Sequence, residues 1–97
     1  MDTRKSRNRQ FRIIVNCDDP EGKIRYEEPF TGLTSEASRR AKIMWARTSY
    51  VANVVNKKTN RDVYARLDVW DPDTQSWRIV WDKRGKYPLN SPAPAQT

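Results

Sequence analysis

The sequence predicts an α+β domain in the order β-β-α-β-β-β, with one helix packed on a mainly antiparallel sheet. Three observations carry that reading. Apolar residues alternate at period two over residues 11–17 and 62–70, which is strand periodicity. A single stretch near residues 35–48 switches to helical spacing. Turn-forming clusters separate these runs. A β-grasp arrangement, which also begins hairpin, helix, strand, is a second topology consistent with this order.

The first strand is read from Phe11, Ile13, Val15 and Cys17 on one face and Arg12, Ile14 and Asn16 on the other. Asp18-Asp19-Pro20-Glu21-Gly22 has the composition of a turn, with Pro to set φ and Gly to accept unusual backbone angles. Residues 23–28 alternate again, with Ile24 and Tyr26 inward, so the two runs form a hairpin. Thr34 or Ser35 is the expected helix N-cap, with Glu36 in the first turn. Ala37, Ala41, Met44 and Trp45 then form an apolar stripe, while Arg39, Arg40, Lys42 and Arg47 lie mostly off it. Residues 50–56 are β-branched and alternating, which predicts a third strand.

Lys57 to Asn60 is the next expected turn. In the fourth strand Val63, Ala65, Leu67 and Val69 share one face, and Tyr64, Arg66, Asp68 and Trp70 the other. Residues 71–76 turn the chain into a last strand, with Trp77, Ile79 and Trp81 alternating. This final hairpin has two possible registers. Trp70 opposite Trp77 places the tryptophans with Tyr64 and Arg66. Val69 opposite Trp77 instead joins the aliphatic and aromatic faces in one core, and this second register is the expected one. A one-residue slip exchanges core and surface throughout a strand.

The chain has 97 residues, with 36% hydrophobic, so it holds one small domain. The expected boundaries are a disordered basic arm at 1–10, the folded domain at 11–87 and a flexible Pro-rich tail at 88–97. No apolar run is long enough to span a membrane, and no signal-peptide segment follows the basic N-terminus. The expectation is a soluble cytoplasmic protein, or one delivered by a route that uses no signal peptide.

Charge is the strongest compositional signal. Lys and Arg total 19 against 12 Asp and Glu, for a net +7. Acidic segments at 13–28 and 68–77 separate basic segments at 29–48, 49–67 and 78–97. The arm adds Arg4, Lys5, Arg7 and Arg9. Convergence of these segments would make one basic patch; scatter would make a mixed surface.

The same composition argues against catalysis. There is no His, hence no imidazole base, His ligand or His switch. The one cysteine, Cys17, permits neither an internal disulfide nor a Cys-based zinc site. With three glycines, the chain has no phosphate-cradling glycine loop. The acidic turns at Asp18, Asp19 and Glu21 and at Asp71 and Asp73 match no EF-hand loop. The expectation is no catalytic residue, no metal and no cofactor.

The leading functional expectation is a small non-enzymatic nucleic-acid binder, of DNA or RNA. Phosphates would be held by Arg4, Lys5, Arg7 and Arg9, by Lys57, Lys58 and Arg61, and by Arg78, Lys83, Arg84 and Lys86. Tyr64, Arg66 and Trp70 would supply stacking. Residues 63–78, with an aromatic-Ala-Arg strand and an Asp-Pro turn, resemble the hairpin of arm-type DNA-binding domains of phage integrases. That resemblance implies a DNA-facing sheet. In those domains a helix usually follows a three-stranded sheet, whereas here the helix precedes the last three expected strands. The alternative is a protein-interaction module, such as a small adaptor or an inhibitor carried by a mobile element, docking or homodimerising through a sheet edge or face. Anionic membrane binding through the arm ranks last, for want of an apolar anchor.

Overall fold

The alternation of Phe11, Ile13, Val15 and Cys17 becomes the buried face of a central strand in the computed structural model, which describes residues 8–19, 22–55, 62–88 and 92–94. This strand, β1 (Arg9–Asp19), pairs antiparallel with β2 (Gly22–Gly32) along its whole length. Its other edge pairs antiparallel with β3 (Val63–Asp71), which turns back into β4 (Ser76–Gly85). The sheet order is β2-β1-β3-β4. Helix α1 (Thr34–Tyr50) connects β2 to β3 across one face. Every pairing is antiparallel and β1 neighbours β3, so the arrangement is one helix on an antiparallel sheet rather than a β-grasp.

The core forms where the two periodicities meet. Val63, Ala65, Leu67 and Val69 of β3 lie in register with the buried β1 residues and join Ala37, Ala41 and Trp45 of α1. Ala37 and Ala41 are fully buried, and small side chains there let the helix approach the sheet closely. Trp45 fills the far end. Its indole N–H donates to the Val63 carbonyl at 2.9 Å, and Lys83 Nζ lies 4.1 Å from its ring centroid. Tyr87, just past β4, stacks near Trp45 and packs edge-on against Tyr50, and its hydroxyl donates to the Pro92 carbonyl.

Four expectations are corrected. β1 begins at Arg9, so Arg9 and Gln10 belong to the sheet rather than to the arm. The helix N-cap is Leu33, not Thr34 or Ser35. Glu36 nevertheless reaches back to accept a hydrogen bond from the Leu33 N–H at 2.9 Å, the acidic half of a capping box. Tyr26, expected inward, is 55% exposed although it shares the helix side with Val15, because α1 runs from the end of β2 toward β3 and leaves that corner of the edge strand open.

The largest correction concerns residues 50–56. They do not form a strand. The helix continues to Tyr50 and widens into a π-helical turn, Val51–Val55. The buried stripe extends from Ala41 and Trp45 through Ser49 to Ala52, so tertiary packing overrides the β-branched preference of the valines. Ser49 is tolerated there because its hydroxyl donates to the carbonyls of Trp45 at 2.7 Å and Ala46 at 3.2 Å.

A bidentate ion pair ties the helix to the sheet edge. Arg40 Nε and a terminal nitrogen donate to the two Glu28 carboxylate oxygens at 2.9 and 3.0 Å. The hydrogen bonds from Arg40 hold the Glu28 carboxyl below its ordinary pKa, and raise that of Arg40. No described helix is long and apolar enough to cross a membrane.

Candidate nucleic-acid interface

Among the described residues, one face of the sheet carries no helix, and a β-bulge decides what stands on it. Next to the turn, Trp70 pairs with Trp77 and Asp68 with Ile79, the register not favoured by hydrophobicity. Between Leu67 and Asp68 the pairing shifts, β4 contributes the extra residue Val80, and Leu67 then opposes Trp81. The expected register, Val69 opposite Trp77, thus occurs nowhere in the hairpin, and the Trp70–Trp77 register holds only from the turn to the bulge. Trp81 turns toward the core, where it is half-buried, whereas Trp77 and Ile79 are delivered to the helix-free face, 37% and 57% exposed.

Cross-strand register then assembles the face. Arg12 of β1 lies opposite Asp68 of β3, and Ile14 opposite Arg66. Arg12 Nε donates to Asp68 Oδ2 at 2.7 Å. Arg66 Nε stands 2.9 Å from Asp68 Oδ1, in ion-pair contact but without hydrogen-bond alignment. The poor alignment follows from position, since Arg66 and Asp68 are two apart on one strand. Asp68 is 1% exposed on a face that no described helix covers. Arg12 and Arg66 both contact it, and the equally buried Ile14 is paired with Arg66 of β3 and Glu27 of β2.

Arg12 is held on a second side. Its guanidinium carbon lies 4.4 Å from the Trp77 ring centroid, and Trp77 meets Trp70 edge-on at 5.3 Å. Toward the other end of β3, Arg84 lies 4.8 Å from the Tyr64 ring centroid, and the Tyr64 hydroxyl donates to Asp82 at 3.2 Å. The face therefore sets planar cations beside aromatic rings, with Arg12 and Arg66 anchored on Asp68 and Tyr64 on Asp82.

The expected site residues divide among several places. Tyr64, Arg66, Trp70 and Arg84 share the helix-free face. Arg9, Arg78 and Trp70 line a groove of 580 Å³ at the turn end of the sheet, with Asp71 and Asp73 also in its wall. Lys83 lies on the helix side against Trp45, and Lys86 pairs with Asp62 at 3.3 Å. Arg4, Lys5, Arg7, Lys57, Lys58 and Arg61 fall outside the described residues. The described cations do not form one patch: Arg39, Lys42 and Arg47 are exposed on the helix, away from the sheet face. Two members of the aromatic–arginine cluster, Arg12 and Trp77, were not expected as site residues. Only the β1–β3 pairing and the bulge reveal them.

Among the described residues, no group of three or more His, Cys, Asp or Glu is placed to hold a metal ion. Comparison with protein-family models, curated proteins and solved structures finds no match. No family assignment follows from the likeness of residues 63–78 to the integrase hairpin.

Proposed function

We propose that this chain is a small non-enzymatic nucleic-acid-binding protein that meets its ligand on the helix-free face of the sheet. The observation carrying this reading is the Arg12 guanidinium held between the Trp77 ring and the Asp68 carboxylate, with Trp70 alongside. Nucleic acid presents two surfaces, anionic phosphates and flat bases, and an arginine stacked on tryptophan answers both. Holding it in place beforehand reduces the ordering cost of binding. Tyr64 with Arg84 repeats the device further along, and Arg66 shares the Asp68 anchor. Arg4, Lys5 and Arg7 supply further phosphate contacts, in a cytoplasmic setting where nucleic acid is abundant.

Fluorescence anisotropy with labelled DNA and RNA tests the reading. Binding at low salt that weakens as salt rises is expected, because neutralised phosphates release counterions. Deleting residues 1–7 lowers affinity and flattens the salt dependence. Absence of binding to both DNA and RNA at low salt refutes the reading.

A specific observation favours the alternative of a protein-docking module: Ile79 and Val80 are exposed on β4, an edge strand whose outer side pairs with no described strand. In that case Ile79→Lys abolishes partner binding or dimerisation, and nucleic acid has no effect.

A further inference from the structure

Resting on the nucleic-acid reading, we infer that the ligand of the helix-free face is a single strand, bound by stacking on the Trp70–Trp77–Arg12 cluster. Three observations point this way. The first is width. Four strands spaced about 4.8 Å apart put β2 and β4 roughly 14 Å from each other before side chains are added. The major groove of a duplex is about 12 Å wide and admits a helix or a two-stranded ribbon, not this sheet face-on. Helix α1 lies on the opposite side and cannot enter a groove that the sheet face is contacting.

The second is chemistry. In a duplex the base faces are buried in the stack, so exposed rings gain little from it. In a single strand every base offers a free face. Trp70, Trp77 and the Arg12 plane are grouped at one end of β3 and β4, and Tyr64 with Arg84 stands at the other. Trp70 lies six steps along the strand from Tyr64, or about 20 Å. Roughly six nucleotides at stacked spacing cover that distance.

The third is charge. On this face Arg12, Arg25, Arg66 and Arg84 are set against Glu27, Asp68 and Asp82. Carboxylates offset most of the arginine charge, so phosphate attraction alone is weak and stacking must contribute.

The test uses the full chain with fluorescein-labelled oligothymidylate of about twelve nucleotides and the matching duplex with oligodeoxyadenylate, at about 50 mM salt. The inference expects the single strand to bind at least about 10-fold more tightly than the duplex, with quenching of tryptophan fluorescence. Trp77→Ala, placed on an exposed edge strand, weakens the single strand by about 5- to 150-fold, the equivalent of one stacked base. Trp77→Phe restores part of the loss. Equal or tighter duplex binding overturns the single-strand inference while leaving the nucleic-acid reading standing. Binding to neither form overturns both. Unchanged single-strand affinity in Trp70→Ala and Trp77→Ala proteins that melt like the wild type overturns the stacking platform.

Discussion

Removing the Asp68 carboxylate is the sharpest perturbation of the sheet face. Asp68→Ala deletes the 2.7 Å bond from Arg12 and the 2.9 Å contact from Arg66 at once. A charge-assisted hydrogen bond contributes about 1.5–3 kcal/mol, and the misaligned Arg66 contact less. Breaking a fully buried pair costs about 3–5 kcal/mol, but both arginine side chains here are 27% exposed and can turn to water. The expected loss is therefore about 3 kcal/mol, at the low end of that range. For a domain of this size it lowers the melting temperature by about 12–24 °C. Urea denaturation followed by circular dichroism measures it. Replacing all three members by apolar residues (Arg12→Met, Arg66→Met and Asp68→Leu) recovers most of the stability, because the cost lies in cations left without their anion. A loss below about 1 kcal/mol for Asp68→Ala refutes the view that this carboxylate organises the face.

Other consequences are as direct. Trp45→Phe removes the indole donor to Val63 and the larger ring under Lys83, and is expected to cost about 2 kcal/mol in urea denaturation. In Gly32→Ala, the new methyl would lie 2.9 Å from Glu36 Oε1 and from a Phe30 ring carbon, so Glu36 is pushed off the Leu33 N–H. The loss is about 1 kcal/mol, read as a lower melting temperature. Arg40 depresses the pKa of Glu28, so this pair stabilises the fold above the ordinary carboxylate range and stops doing so as pH falls through the depressed value. With both side chains 35% exposed, solvent screening limits the effect to at most about 1 kcal/mol. Glu28→Gln is correspondingly less stable at neutral pH and matches the wild type once the carboxylate is protonated; a gap that persists in acid rules out the ion pair as its source.

The elements legible in the sequence are those whose pattern is set by burial on one side. β1, β3 and the Ala37–Ala41–Trp45 stripe all read correctly, because one helix covers one sheet face. Residues 50–55 misled because the stripe passes through Ser49, a polar residue whose hydroxyl is satisfied within the helix. A hydrophobic count sees a break there and then a run of valines. The last hairpin misled for another reason. Alternation presupposes a uniform register, and a single extra residue at Val80 lets Trp77 and Trp81 face opposite ways. Of the sheet-face cluster, Tyr64, Arg66 and Trp70 were visible on one strand. Arg12 was not, because its partner Asp68 is 56 residues away and no local pattern links them.

Tryptophan indole N–H resonances give the most direct test of the central claim, that nucleic acid binds on the helix-free face. Four are expected, one for each tryptophan in the chain. Trp45, bonded to Val63 in the core, serves as an internal control. On titration with oligothymidylate, Trp70 and Trp77 are expected to shift together with the amides of Arg12, Arg66 and Ile79, while Trp45 and the helix residues Arg39, Lys42 and Arg47 hold still. Shifts confined to the helix, with Trp70 and Trp77 unmoved at saturation, would contradict it.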